Sequence, residues 1–368
     1  MADAEFIPGL ELSHGFFVDL VKPLMVRGFP DLPYSAALIG SGSEVLGFDT
    51  PMSTDHHWGP RIMIFLRLED YEERREDIRT YLGRNLPPSY RGYSTNFTDP
   101  DPNDNGVQHL APPSGDFINH RVELYTIDGF FRSYLNLRVS DTLTNCDWLS
   151  LPSQKLRSII AGGVFHDDLS LGTIRERLSW YPQDVWLYNL GCAWARIGQE
   201  EHLMGRAGYV GDETGSVLIG ARLIRDIMRI AFLLEREYPP YPKWFGTAFS
   251  ELACAPGLQP NIDAALHARN WQERQSALSP VYEGIAEIQR SHGVVDSISS
   301  RVTNFWGRPF LVIHGDEIAE ALFSQITDTE LSSLAQDRKI GSIDLISDNS
   351  DLLENEGMRP LFQTLYGL

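Results

Sequence analysis

Cysteine is scarce, with only Cys146, Cys192 and Cys254 in a chain of 368 residues. Their odd number and wide spacing exclude a disulfide framework and a zinc-type cysteine pattern. Basic residues are also few, 31 Lys and Arg against 50 Asp and Glu, giving a formal charge of −19. Such a surface repels phosphate backbones and excludes broad nucleic-acid binding, leaving room for a local basic pocket. Long apolar runs are missing. The most apolar helical stretch, 227–234, contains Arg229 and falls far short of the ~20 residues that cross a bilayer. The acidic opening Met1-Ala2-Asp3-Ala4-Glu5 leads into no apolar run, so no secretory signal is read. The expectation is a cytoplasmic protein that stays off membranes. What is present is ordinary: 42% hydrophobic and 22% charged residues, over the length of about two average domains.

The first half of the chain mixes periods. Phe16, Phe17, Leu20, Val21, Leu24 and Met25 form one stripe of an amphipathic helix over 11–28, which Pro30 and Pro33 stop. Short apolar runs at 36–39 and 62–66 and the alternating 120–127 read as strands. Residues 71–86 read as a charged surface helix, and 97–116, rich in Asp, Pro and Gly, as a long polar loop. Beyond about residue 150 the period becomes 3.6. Helices are expected at 154–161, 173–180, 182–204, 215–238, 244–253, 260–291 and 316–338. The strongest is 215–238, with Val217, Leu218, Ala221, Ile224, Ile227, Met228, Ala231 and Leu234 on its apolar side. The tail from Gln325 carries eight acids and three bases and reads as solvated and loosely attached. The fold class is α+β, with a mixed-sheet domain over 1–150 and an all-helical domain over 151–368 that ends in the acidic segment.

Chemistry concentrates in 38–61, LIGSGSEVLGFDTPMSTDHHWGPR. Gly40, Ser41, Gly42 and Ser43 leave the first strand as a tight turn. Successive backbone N–H groups there can cradle an anion, with the Ser41 and Ser43 hydroxyls as added donors. A plain structural turn is the other reading. Asp55 follows, then His56 and His57. On a strand Asp55 and His57 would share one face, a carboxylate and an imidazole able to hold a metal ion against a polyphosphate. Alternatively Asp55 is a turn residue and the histidines are ordinary polar groups.

A strand, Gly-Ser, a short interval and then an acid on the next strand resembles the polymerase-β-like nucleotidyltransferases. The string Gly40–Glu44, Gly47–Asp49, Ser53, Asp55-His56 and Trp58–Pro60 is most similar to the bacterial family called domain of unknown function 4037. Phe232–Arg236 and Tyr241–Gly246 extend that resemblance into the second half. The resemblance implies a nucleotidyltransferase domain followed by a helical acceptor-binding domain. It also implies ATP or another nucleoside triphosphate as co-substrate, Mg or Mn as metal, and a hydroxyl acceptor on a small molecule or protein. Nucleoside monophosphate, AMP from ATP, would be transferred with release of pyrophosphate.

The superfamily pattern expects a second acid where this chain has His57. Mg prefers oxygen ligands, whereas imidazole suits Mn or Zn. Either Asp55 holds Mg with another acid and the nucleotide, or the site takes a softer metal, or the chain binds nucleotide without transferring it. Glu123, in the middle of the 120–127 strand, is the candidate third carboxylate, as a general base or metal ligand; facing solvent is the bland alternative. His120 and Asp128 are weaker candidates. Arg61 and Lys243 are candidate phosphate-binding cations, each able instead to be an ordinary surface charge. Glu44 and Asp49 are read as helix-start charge or as support for the turn. Trp58, Trp180, Trp186, Trp194 and Trp244 are read as core. A metal hydrolase built on Asp55, His56 and His57 lacks a further ligand cluster.

Overall fold

A computed structural model describes residues 6–104, 106–113, 115–295 and 299–367. The chain divides into two compact units. The first comprises residues up to Thr142 with Lys155–Ser179, the second Leu143–Gln154 with Trp180 onward.

The first unit is built on a four-stranded mixed sheet. Its strands are β1 (Ser35–Leu38), β2 (Arg61–Leu66), β3 (Arg121–Thr126) and β4 (Gly163–Asp167), in the order β3-β2-β1-β4. β1 runs antiparallel to β2 and β4, while β2 and β3 are parallel. A parallel pair needs a crossover, and Leu68–Asn85, the charged helix seen in the sequence, supplies it.

Alternation along the strands decides the two faces. Ala36, Ile62, Ile64, Leu66 and Val122 pack on Leu12, Phe16, Val21, Leu24, Ile78 and Leu82. These come from the crossover helix and from a continuous helical run, 9–28, with a π-turn at Phe17–Val21. The other face carries Arg61, Met63 and Phe65 beside Arg121, Glu123 and Tyr125 in register. Phe65 and Tyr125 meet Phe130 there, with ring centroids 5.6 Å apart in both cases. The charged ends of β2 and β3 therefore share one face with an aromatic cluster.

The second unit is helical. Gln183–Tyr209 and Glu213–Glu235 pair at its centre, and Trp271–Ser291 and Gly315–Phe323 pack on them. The expected helix at 260–291 is two, Ala255–Leu266 and Trp271–Ser291, because Asn270 caps a new start by accepting from the Glu273 N–H. The apolar stripe expected on Glu213–Glu235 is partly displaced. Ile224, Ile227, Ala231 and Leu234 are buried, but Val217 and Leu218 face solvent. Ser216, Gly220 and Asp226 take the inner side instead, Ser216 and Gly220 against the buried Arg274.

The tail is not loosely attached. Leu331, Leu334, Ile343, Leu353, Phe362 and Tyr366 are buried, and the Tyr366 hydroxyl donates to the Leu149 carbonyl at 2.9 Å. Two of its acids fasten it: Asp344 accepts from the Ser153 N–H and hydroxyl, and Asp328 caps the helix Thr329–Asp337. Among the described residues no helix is long and apolar enough to cross a membrane.

Candidate functional site

The turn after β1 is shaped by two glycines and covered by a buried ion pair. Gly40 and Gly42 have φ of +85° and +142°, values an L side chain resists. A Cβ on Gly42 would lie 2.6 Å from Glu44 Oε2 and 2.7 Å from Arg61 Nη2. Those two groups cover the turn. Arg61 Nε donates to Glu44 Oε1 at 2.8 Å, and its Nη2 donates to the Ser41 carbonyl at 2.9 Å. Both side chains are buried. Ser41 is exposed, its Oγ 3.5 Å from the Tyr134 hydroxyl, and Ser43 begins the short helix Ser43–Leu46. Asp49 ties the following loop down, accepting from Gly9 N–H at 2.7 Å and from the Trp58 indole at 2.9 Å.

Asp55 and His57 do not sit on a strand. Thr50 and Ser53 form a capping box around Pro51, which turns Pro51–Asp55 into a 3₁₀ helix. The Asp55 carboxylate lies 3.0 Å from His56 Nδ1, and both side chains are more than half exposed. His57 follows with φ of +51° and donates its N–H to the Gln108 carbonyl, so the long polar loop buttresses this segment.

A second cluster lies beside Arg61. Arg121 is its register partner across the parallel pair. Arg121 Nη1 stands 2.8 Å from His57 Nδ1, while its Nε and Nη2 donate to Glu123 Oε1. The Tyr125 hydroxyl donates to Glu123 Oε2 at 3.1 Å. A guanidinium only donates, so His57 Nδ1 accepts and its remaining proton is on Nε2. Burial, then the charges of Arg121 and Arg61, hold the His57 imidazole below its usual pKa against the pull of Glu123 and Glu44. Burial pushes the Glu123 carboxyl up, but Arg121, Arg61 and the bonds it accepts outweigh this and keep it below the usual carboxylate range. At neutral pH the cluster is a neutral imidazole, a guanidinium and a carboxylate.

These donors do not fit a divalent ion as they stand. Among the described residues no three His, Cys, Asp or Glu side chains converge on a metal-sized position. A guanidinium, itself a cation, occupies the space between His57 and Glu123, and it would repel the ion those two residues were expected to share.

Of the other candidates, Asp128 pairs with Arg132 at 2.6 Å on an exposed helix face. Lys243 belongs to the second unit, exposed on the helix Pro242–Ser250 with its Nζ 4.7 Å from the Trp244 ring. Trp58, Trp186 and Trp194 are buried; Trp180 and Trp244 are half-buried. Sequence reasoning missed Arg121, although it stands two residues before Glu123 on the same strand face. It also missed Lys155, buried against the Tyr134 ring with its Nζ donating to the Tyr134 carbonyl at 2.8 Å. Lys155 carries no signal in the sequence.

His120 is fastened as a neutral ring, its Nδ1 accepting from the Val122 N–H and its Nε2 3.1 Å from the Arg79 carbonyl. A second proton would fall on Nδ1, against that N–H. Burial, the main cause, pushes its pKa down to about 4. A depressed pKa stabilises the fold above the unfolded value near 6.5 and loses that contribution as pH falls toward 4. The loss is at most about 3 kcal/mol. His120→Gln is expected to flatten the fall of the urea midpoint between pH 7 and pH 4.5; an unchanged pH slope would assign the acid sensitivity elsewhere.

Comparison with known proteins adds three findings. No curated protein matches the chain. Among solved structures, a nucleotidyltransferase-like protein from Exiguobacterium sibiricum is 11% identical, over 76% of this chain and 77% of that one, with a TM-score of 0.33. The model of a family described as "Domain of unknown function (DUF4037)" matches residues 148–245. That span takes in Phe232–Arg236 and Tyr241–Phe245 and stops short of the 40–60 string. Over residues 148–245, then, the chain is similar to the DUF4037 family.

Proposed function

We propose that the chain is a nucleotidyltransferase whose first unit seats a nucleoside triphosphate against Gly40–Ser43 and moves a nucleoside monophosphate, AMP from ATP, onto a hydroxyl of a small molecule or protein. One observation carries this reading. A Gly-Ser turn leaves β1 beneath the Arg61 guanidinium, and Arg121 stands beside Arg61 on the adjacent strand with an ionised Glu123 between Arg121 and Tyr125. Guanidiniums pair with phosphate oxygens in bidentate fashion. In bond terms the acceptor oxygen attacks the α-phosphorus, the bond to pyrophosphate breaks, and the acceptor proton passes to the Glu123 carboxylate. The charge of −19 favours a cationic or protein acceptor over nucleic acid. No step is assigned to Mg or Mn, since the donors do not converge.

A second reading, a nucleotide-binding regulator without transfer, is favoured by one specific feature. His57 stands where the superfamily pattern places an acid, and its Nδ1 is already engaged by Arg121.

Calorimetry with ATP, then pyrophosphate release against a panel of hydroxyl acceptors in Mg and in Mn, separates the two. Binding with release supports transfer; binding with no release in either ion supports the regulator. Ser41→Trp fills the exposed side of the turn and is expected to abolish the ATP-induced rise in melting temperature while leaving the ligand-free value nearly unchanged. Absence of ATP binding by the native chain in any divalent ion overturns both readings.

A further inference from the structure

Pro239, Pro240, Pro242 and Phe245, in and just before the string Tyr241–Gly246, wall an open hollow in the second unit together with Arg225 and Arg229. The hollow holds about 330 Å³. An apolar cavity of about 150 Å³ takes up benzene, so a single ring fits here with room for a polar group. The pyrrolidine rings fix φ at the prolines. Phe245 is held against Phe232, with ring centroids 5.3 Å apart. The wall is therefore formed before anything binds, and a ligand meets little ordering cost.

One guanidinium of this wall is left with its donors unused. Arg229 stands one turn after Arg225 on Glu213–Glu235. Its side chain is 16% exposed and borders the hollow, which leaves its N–H groups within reach of a ligand. Among the described residues its guanidinium donates no hydrogen bond, and its one ion pair is loose, Nη1 lying 3.6 Å from Asp226 Oδ1. The neighbouring arginines are engaged: Arg225 Nη1 donates to Asp348, and Arg196 Nη1 donates to the Leu345 carbonyl at 2.5 Å. Nor does Asp226 depend on Arg229, since Arg196 Nε lies 2.9 Å from its Oδ2. Burial outweighs the pull of Asp226 and Asp344 and holds the Arg229 pKa below its usual value, as expected of a cation short of acceptors.

We propose that this hollow binds a small monocarboxylic acid with an apolar body, on the scale of a one-ring aromatic acid. The planar fork of the Arg229 guanidinium matches the two carboxylate oxygens. The body of the ligand lies against Phe245 and the prolines, where its burial adds to the affinity. Asp344 and Asp348 also border the hollow, and they repel a phosphate dianion more strongly than a single carboxylate. The hollow shares no residue with the Gly40–Ser43 turn, so its occupancy does not rest on nucleotide binding there.

The test uses the full chain and follows para-fluorobenzoate by fluorine NMR, with para-fluorobenzamide as its uncharged match. Saturable binding of the acid is expected at a Kd of about 10 mM or tighter, the floor for a ligand of roughly ten non-hydrogen atoms. The amide should bind at least about tenfold more weakly, because it lacks the charge-assisted pair. Arg229→Lys keeps a charge beside Asp226 and removes the fork, so affinity should fall about fivefold or more while the melting temperature stays near native. Asp348→Asn takes a negative charge from the rim and should tighten binding several-fold. Phe245→Ala should weaken it by a similar factor. If Arg229→Lys does not fold, the other two variants decide. A Kd weaker than about 10 mM, equal binding of the amide, unchanged affinity in the variants, or displacement of the acid by inorganic phosphate at lower concentration than by benzoate would overturn the proposal. Ser41→Trp is expected to leave this binding untouched, so the hollow and the nucleotide site succeed or fail separately.

Discussion

Arg61→Met is expected to destabilise the chain by about 3–5 kcal/mol, the cost of leaving one member of a buried ion pair without the other. The Glu44 and Arg61 side chains are both over nine-tenths buried, and the variant leaves the Glu44 carboxyl buried without its main partner. The loss has a second part. Arg61 Nη2 also satisfies the Ser41 carbonyl, so the turn would lose the donor that holds its backbone in place. The double variant Glu44→Leu/Arg61→Met should recover most of the loss, since a buried pair replaced by apolar groups of similar size is often neutral. It should not recover nucleotide affinity, because the guanidinium over the turn is absent from both variants. Urea unfolding followed by tryptophan fluorescence gives the stabilities, and ATP calorimetry gives the affinities. A single-variant cost below about 1 kcal/mol would mean that water reaches Glu44 and that the pair does not organise the turn.

That pair also shows what the sequence could disclose. Gly40 and Gly42 announce a turn by residue type, and Arg61 opens a strand, so the parts are legible. Their connection is not, because Glu44 and Arg61 are seventeen residues apart and meet only when β1 and β2 pair. Likewise, alternation makes Glu123 a face residue of β3, but the same rule applied to Arg121 would have predicted a guanidinium beside it. The strand reading of Asp55–His57 fails on local chemistry: Thr50, Pro51 and Ser53 cap a 3₁₀ turn, a signal that outweighs polar alternation. In the second unit the long helices follow from their period. What escapes is buried polarity. Glu201, in mid-helix, accepts from the Ile313 and Gly315 N–H groups, and burial pushes its pKa up to about 7. Asp226 lies within 4 Å of Arg196, Arg225 and Arg229. A pattern that treats charge as solvent-facing reverses the helix face at such positions, which is why it places Val217 and Leu218 inward.

Glu123→Gln is expected to lower pyrophosphate release by roughly 10²–10⁴ while ATP affinity changes by no more than about threefold. The amide keeps the shape: its one oxygen can still accept from Arg121 and its NH2 can donate to the Tyr125 hydroxyl, so nucleotide seating survives and proton acceptance does not. The pH dependence follows from the same contacts. Arg121 and Arg61 hold the Glu123 carboxyl below its ordinary 4.5, so pyrophosphate release by the native chain should show no acid limb above about pH 5. In Arg121→Leu that support is gone while burial remains, and burial raises a carboxyl pKa. The acid limb should therefore move upward, toward neutrality. His57 reports the same change by NMR: without the Arg121 charge its imidazole pKa should rise from its depressed value toward 6.5. Arg121→Leu also removes the cation between His57 and Glu123, so Mn should bind this variant more tightly than the native chain, imidazole suiting that ion better than Mg. If Glu123→Gln transfers at the native rate, Glu123 is not the base. If the acid limb stays in place in Arg121→Leu while His57 shifts, the guanidinium tunes the imidazole and leaves the reaction to another group.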